Sequence, residues 1–192
     1  IEGSWCGVKT TKEMIDSIKA SGFETVRIPV SWHNHVDENN NIDKEWLDRV
    51  QEVVDYAVSN NMHIILNIHH DNELKDGKVL GFYPEKQYLE QSLKYVEDIW
   101  TQIADRFKDY NENLVFESLN EPRLIGSAYE WNFNSTATEC IEAQECINAM
   151  NQKFVDVVRA SGGNNANRYL MVPAYCASAD AAVSDVFKMP SD

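Results

Sequence analysis

The stretch Leu114-Val115-Phe116-Glu117-Ser118-Leu119-Asn120-Glu121-Pro122 reads as a short apolar strand, Leu114–Glu121, that carries an asparagine and a glutamate to its carboxyl end. Pro122 has no N–H to donate and pushes its neighbour away from helical backbone, so regular pairing stops there. An acid where strand becomes loop is either a solvated turn residue or a reactive group. The segments on either side decide between the two.

Upstream lies a helical stripe, Leu89, Leu93, Val96, Ile99, Trp100, Ile103 and Phe107, with apolar side chains at three- and four-residue spacing. Before it, Met62–Ile68 is almost continuously apolar, which predicts a strand buried on both faces, as in a parallel sheet. It ends in His69-His70-Asp71, and a loop rich in Asp, Gly and Lys runs on to Pro84. Earlier still, Trp46, Leu47, Val50, Val53, Val54, Ala57 and Val58 mark a helix capped by Asp43 and ended by Asn60-Asn61. Phe23–Val30 predicts a strand opening into the loop Ser31–Asn41. Thr10-Thr11-Lys12-Glu13 predicts a capping box, with Met14, Ile15 and Ile18 following and Gly22 as the stop.

Downstream, a long aromatic loop from Arg123 to about Thr138 leads to a helix bearing Ile147, Met150, Phe154, Val157 and Val158, ended by Gly162-Gly163. Tyr169–Val172 predicts the last strand, Pro173 to Ser178 leads out of it, and Ala181–Lys188 begins a further helix. Helix and strand alternate four times. Parallel strands need a crossover, and a helix supplies it, so the class is α/β with a parallel sheet. A doubly wound sheet would show a Gly-rich turn after its first strand, and neither GxGxxG nor a P-loop occurs. The expected architecture is therefore a (β/α) barrel. With no linker or low-complexity segment, residues 1–192 read as one unit.

Composition narrows the function. The 192 residues carry a formal charge of −14 and are 43% hydrophobic and 10% aromatic, the profile of a globular chain. An acidic surface argues against nucleic acid and anionic membranes as partners, which call for a basic footprint, and no apolar run is long enough to cross a bilayer. It leaves neutral substrates such as carbohydrate open. No basic-then-apolar leader precedes Ile1, so a signal peptide is expected to be absent or already removed. The four cysteines, Cys6, Cys140, Cys146 and Cys176, show no CxxC spacing, so neither a structural zinc nor any other cofactor is expected. Reduced thiols are favoured, with a Cys140–Cys146 pair open only if Cys140 precedes the helix.

The strand ends then line up. Arg27, His69, Asn120 with Glu121, and Tyr175 just beyond the fourth strand all arrive at one rim, where a barrel gathers its chemistry. Arg27 inside Thr-Val-Arg-Ile-Pro-Val requires a buried anionic partner; strand parity also points Glu117 inward, so a structural Arg27–Glu117 pair competes with a role at the reacting centre. His69 and His70 are adjacent on a strand and are expected to face opposite sides, which disfavours chelation of a metal with Asp71 or Glu73. His33 and His35 lie in a loop and could be exposed. Trp32, Phe82, Tyr83, Tyr129, Trp131 and Phe133 all fall in strand-to-helix loops. Such aromatics suit stacking on sugar rings, although any one of them serves equally well as a loop anchor.

Three motifs in order, Val26-Arg27-Ile28-Pro29-Val30-Ser31-Trp32, Ile68-His69-His70 and Phe116-Glu117-Ser118-Leu119-Asn120-Glu121-Pro122-Arg123, resemble glycoside hydrolase family 5, most closely its subfamily 4 of endoglucanases and xyloglucanases. The stretches Gly162-Gly163-Asn164-Asn165-Ala166-Asn167-Arg168 and Met171-Val172-Pro173 are similar to that subfamily too, so the likeness runs from about Ser4 to Ser178. The resemblance implies a (β/α)8 TIM barrel and retaining hydrolysis of plant-wall β-1,4-glucans by an extracellular enzyme. It implies Glu121 as general acid/base and Asn120 as the partner of the sugar 2-hydroxyl. Arg27 would hold the nucleophile carboxylate ionised, and His69, better placed than His70, would line the subsite of the cleaved sugar. Trp32, His35, His70, Trp131 and Tyr175 complete the expected substrate-binding set.

The four strands match the second to fifth of the family's eight. No glutamate follows Glu145, so the nucleophile is expected outside this chain. The unit 1–192 is thus read as a partial catalytic barrel, whose partners would be a β-glucan and the remaining barrel segment or other domains. Alone it is expected to show no measurable glucanase activity, because retention needs both carboxylates. The alternative is a non-catalytic carbohydrate-binding remnant. Asn134-Ser135-Thr136 is a glycosylation sequon, with meaning only in a eukaryotic secretory host.

Overall fold

The computed structural model describes Glu2 and residues 7–192. The elements are α1 (Lys12–Ala20), β1 (Thr25–Ile28), α2 (Lys44–Ser59), β2 (His63–Asn67), β3 (Leu74–Lys75), β4 (Lys78–Val79), α3 (Leu89–Phe107), β5 (Leu114–Glu117), α4 (Thr138–Ala160), β6 (Leu170–Met171) and α5 (Ala179–Ala182). Strands β1, β2, β5 and β6 form one sheet in that order, every pair parallel. Each crossover between them is one of the helices α2, α3 and α4. This is the expected partial (β/α) barrel.

The pleat sorts the strand residues. Ile64, Leu66, Leu114 and Phe116 are fully or almost fully buried, and Trp100 of α3 packs between Phe116 (5.2 Å) and Phe154 of α4 (4.5 Å). The Trp100 indole donates to Ser118 O at 3.1 Å, tying α3 to the end of β5. Residues of the other parity, Arg27, Ile65, Asn67, Val115, Glu117 and Met171, share the opposite face in register. The expected burial of β2 on both faces holds fully on the helix side and in part on the other, where Asn67 is buried and Ile65 half-buried.

Several boundaries differ from expectation for physical reasons. Helix α1 is capped by Thr11, whose hydroxyl accepts from Met14 N, and not by a Thr10–Glu13 box. Thr10 N–H is already bound to Glu2 Oε1 at 2.7 Å. Asp43 stands at the α2 N-cap position without a capping bond. The loop after β2 contains an antiparallel hairpin, β3–β4, turning at Asp76-Gly77 with both residues at positive φ. The expected helix Ala181–Lys188 shrinks to the single turn of α5. Cys140 and Cys146 both lie within α4 and are unbridged, as is Cys176, while Cys6 lies outside the described residues. Among the described residues no helix is long and apolar enough to cross a membrane.

At the amino-terminal end of the sheet, Arg168 is buried without a carboxylate partner. Its guanidinium donates to the carbonyls of Phe107, Tyr110, Asn111 and Leu114 at 2.6–3.0 Å and to Asn165 Oδ1 at 2.6 Å. It also lies over the Phe116 ring at 4.8 Å. These carbonyls lie where α3 ends and β5 begins, three of them also accepting from Tyr110 N, Leu114 N and Asn164 Nδ2, so one side chain ties the whole junction together.

Candidate active site

The open face of the sheet places Arg27 and Glu117 within reach of each other. Arg27 Nε and Nη2 donate to the two Glu117 carboxylate oxygens at 2.7 Å each, and Nη2 also donates to Asn120 Oδ1 at 2.8 Å. Asn67 Nδ2 adds a 3.4 Å bond to Glu117 Oε2, and its own Oδ1 accepts from Val30 N. The structural pair weighed in the sequence is therefore present, and it extends to the candidate site. A forked guanidinium fixes both planes and raises Arg27 above its ordinary value, the Glu117 bonds outweighing its burial. With Oδ1 of Asn120 committed as an acceptor, its amide N–H groups are left to offer to something else.

Glu121 follows four residues after the last ladder residue of β5. Main-chain bonds continue past the ladder, with Ser118 N on Met171 O and Cys176 N on Pro122 O, so this segment is held against the exit of β6. The Glu121 side chain is 41% exposed, with Arg123 Nη1 3.7 Å from Oε2; the same Nη1 donates to Glu121 O at 3.0 Å. It is the most accessible carboxylate of this cluster.

His69 and His70 do not face opposite sides. Strand β2 ends at Asn67, so the alternation that separates neighbours has already lapsed, and their rings meet edge to face at 4.4 Å. His69 Nδ1 lies 3.1 Å from the Asn67 amide nitrogen and acts as its acceptor. Burial, then the charges of His70 and Arg27, push His69 down to about 4, so it is neutral near pH 7. Burial also lowers His70.

Behind this rim stands a carboxylate that the sequence offered only as a metal ligand. Asp71 is fully buried. It accepts from Trp32 N at 3.0 Å, Tyr95 OH at 2.8 Å and His33 Nδ1 at 2.8 Å. Burial opposes a charge on His33, but the Asp71 bond and the charges of Asp71 and Glu73 raise it overall. Gly81 (φ +84°) completes the corner: a Cβ there would stand 2.2 Å from Asp71 O.

The expected aromatic platform divides. Trp32, Phe82 and Tyr83 are buried, Tyr129 and Phe133 half-buried, and Trp131 is 59% exposed. Trp32 anchors its loop through an indole bond to Asn67 O at 3.0 Å, so it cannot stack on a ligand here. Tyr175 is likewise fully buried, donating to Tyr129 O at 2.9 Å and accepting from Leu124 N at 3.1 Å. His35 stacks on Trp46 of α2 at 3.8 Å and keeps a partly exposed ring in the loop after β1. Trp32 and Tyr175, both fully buried, leave the substrate-facing set as loop anchors. Trp131 keeps an open surface, with the Arg123 guanidinium over its ring at 4.0 Å.

Sequence reasoning missed Asn67 and the buried amides of α4. Asn151 joins Ser118 Oγ (2.6 Å) to Pro173 O (2.9 Å), and Gln144 Oε1 receives Tyr175 N (2.8 Å). A polar residue on the buried stripe of an otherwise apolar strand or helix was the signal available for each.

Comparison with known proteins gives a consistent result. The family described as cellulase (glycosyl hydrolase family 5) matches residues 1–192. Endoglucanase B of Ruminococcus albus is 44% identical over 194 residues, covering 100% of this chain and 44% of that protein. Endoglucanase A of Clostridium longisporum is 41% identical over 191 residues, covering 100% of this chain and 35% of that protein. Among solved structures, the catalytic domain of CelCCA superposes with a TM-score of 0.95 at 53% identity, over 100% of this chain and 50% of that one. A family 5 lichenase of Caldicellulosiruptor sp. F32, in complex with cellotetraose, gives 0.94 at 56%, with the same coverage. A GH5-4 broad specificity endoglucanase of Ruminococcus champanellensis with bound cellotriose gives 0.89 at 46%, over 100% and 52%. The chain spans about half the length of these structures.

Proposed function

Because this chain belongs to the cellulase family, glycosyl hydrolase family 5, we propose that it is the acid/base half of a retaining endo-β-1,4-glucanase of the subfamily 4 type, acting outside the cell on plant-wall β-glucans. Glu121 protonates the glycosidic oxygen as the bond breaks and then takes a proton from the water that hydrolyses the glycosyl-enzyme. The nucleophile is a glutamate outside these 192 residues, about 5 Å from Glu121 in the closed barrel, the separation that retention requires. Asn120 offers its amide N–H groups to the sugar 2-hydroxyl, a bond that strengthens as the ring approaches an oxocarbenium ion. His69, neutral, and His70 line the adjoining subsite, and Trp131 stacks on a sugar ring.

The observation that carries this reading is the bond from Arg27 to Asn120, which orients the amide next to an accessible glutamate at the strand end. Arg27 was expected to hold the nucleophile carboxylate ionised. Since Glu117 already holds its fork, Arg27 here acts first as a positioning residue for Asn120, and any effect on the nucleophile adds to that role. The outer strands β1 and β6 are where the remaining barrel segment docks. The cello-oligosaccharides bound by two of the relatives' structures support an oligosaccharide ligand of the same class.

The test is Glu121→Gln in the full-length protein, assayed for hydrolysis of soluble β-glucans and for oligosaccharide binding. Loss of hydrolysis with binding retained is the expected result. Binding without hydrolysis in both the wild type and the variant would favour a carbohydrate-binding module instead. Turnover of a soluble β-glucan by the 192-residue chain alone would refute the division of the catalytic pair.

A further inference from the structure

Arg123 connects two groups that the reading above treats separately. Its Nη1 donates to Glu121 O at 3.0 Å and stands 3.7 Å from Glu121 Oε2. Its Nε donates to Glu130 Oε1 at 3.3 Å, and its plane covers one face of the Trp131 indole at 4.0 Å. The side chain is only 17% exposed. Glu130 is itself fixed, its Oε2 accepting from Gly126 N at 2.8 Å, and the Arg123 backbone is tied by Asn72 Nδ2, which donates to Arg123 O at 2.9 Å. Held by Glu121 O, Glu130 and the Trp131 face, the guanidinium is kept in place when the carboxylate beside it changes charge. That distinguishes it from an ordinary surface ion pair, whose mobile partners contribute little.

We propose that Arg123 is a positioning residue for the acid, stabilising the carboxylate that Glu121 becomes once its proton has passed to the leaving oxygen, and holding that carboxylate at a fixed distance from the sugar stacked on the outer face of Trp131. The proposal rests on the glucanase reading. In the first step the Glu121 O–H bond breaks and its proton goes to the glycosidic oxygen, which keeps the C–O bond electrons; the nucleophile carboxylate of the remaining barrel segment bonds the anomeric carbon, and a negative charge appears on Glu121 facing Nη1. A sugar on Trp131 excludes water from the guanidinium–indole stack, which strengthens the field at Glu121. Trp131 occupancy and proton transfer are thereby linked through one side chain.

The linkage predicts a dependence on leaving group. A poor leaving group, the sugar hydroxyl of a β-glucan, needs the proton; a dinitrophenolate does not. In the full-length protein, Arg123→Met should lower kcat on a soluble β-glucan about tenfold, the effect of losing one screened charge contact, with less change in KM. It should leave the glycosylation rate on dinitrophenyl β-cellobioside within about twofold. Arg123→Lys restores the charge but not the fork, and should recover part of the loss. Trp131→Ala should chiefly raise KM, and the double variant should lose less than the product of the two single effects. Equal slowing of both substrates by Arg123→Met would mean a merely structural role and overturn the assignment, as would unchanged kinetics on the β-glucan. A wild-type protein that cleaves neither substrate would overturn the glucanase reading, and this inference with it.

Discussion

Glu117→Gln and Arg27→Met test the fork at the centre of the rim. The two partners are unequally placed: the Glu117 side chain is 11% exposed and that of Arg27 37%. Breaking a buried pair costs about 3–5 kcal/mol, because the survivor is left charged and dry, whereas an exposed pair is worth about 0–1 kcal/mol. Arg27→Met strands the buried carboxylate, with only the 3.4 Å Asn67 bond remaining, and belongs near the buried limit, about 3 kcal/mol. Glu117→Gln strands the guanidinium, which can turn toward water and keeps its bond to Asn120, so about 1.5 kcal/mol is expected. For a chain of this size these correspond to falls in Tm of about 6–12 °C and 3–6 °C. Urea denaturation at neutral pH measures both, and the double variant should cost less than the sum, since removing both charges removes the stranded one. A Glu117→Gln loss equal to or larger than that of Arg27→Met would refute the argument from unequal burial. So would additivity in the double variant.

Gly81→Ala forces a Cβ to 2.2 Å from Asp71 O at a left-handed φ, and should cost more than about 3 kcal/mol in denaturant and raise amide exchange at Phe82, whose N–H bonds Asp71 O at 2.9 Å. Arg168→Met removes the guanidinium donors from four backbone carbonyls and from Asn165 Oδ1 and should cost about 3–5 kcal/mol by urea denaturation, with Arg168→Lys recovering less than half because it has fewer donors. The two histidine sites should pull stability in opposite directions with pH. His33 is raised in the fold, so its contribution is complete below its unfolded value near 6.5 and fades as pH rises through the folded value; the loss caused by His33→Asn should shrink as pH rises above 6.5. His69 is depressed to about 4, so its contribution is complete above about 6.5 and is lost as pH falls toward 4. NMR titration of the two rings, beside stability measured across that range, checks both signs.

How far the sequence foretold this depended on the kind of signal. The helical stripes and apolar runs placed the sheet and its helices because burial repeats along each element, and parity alone brought Arg27 to Glu117. Parity failed one turn later: it separates His69 from His70 only while β2 continues, and β2 ends at Asn67. The loop aromatics misled because loop position does not say whether a ring points in or out. Trp32 and Tyr175 point in, since each has a polar tip that a nearby backbone group can satisfy. The β3–β4 hairpin was readable in Lys75-Asp76-Gly77-Lys78, as Asp-Gly between short strand segments is a strong turn signal. Asp71 was beyond such reasoning: its three donors come from one distant loop, at Trp32 and His33, and from Tyr95 of α3, which only tertiary packing unites with it.

The Arg168 clamp has a further consequence. Its partners are carbonyl oxygens and one amide, which do not take up protons as the solution is acidified, and burial brings Arg168 itself down only to about 10. At the opposite end of the sheet His69 is depressed to about 4, so acid below its unfolded value opposes the folded state there. Acid should therefore loosen the molecule from one end. The strand tips that carry Asn120 and Glu121 would give way first, while the junction of α3 with β5 remains a closed, protonation-blind hinge point.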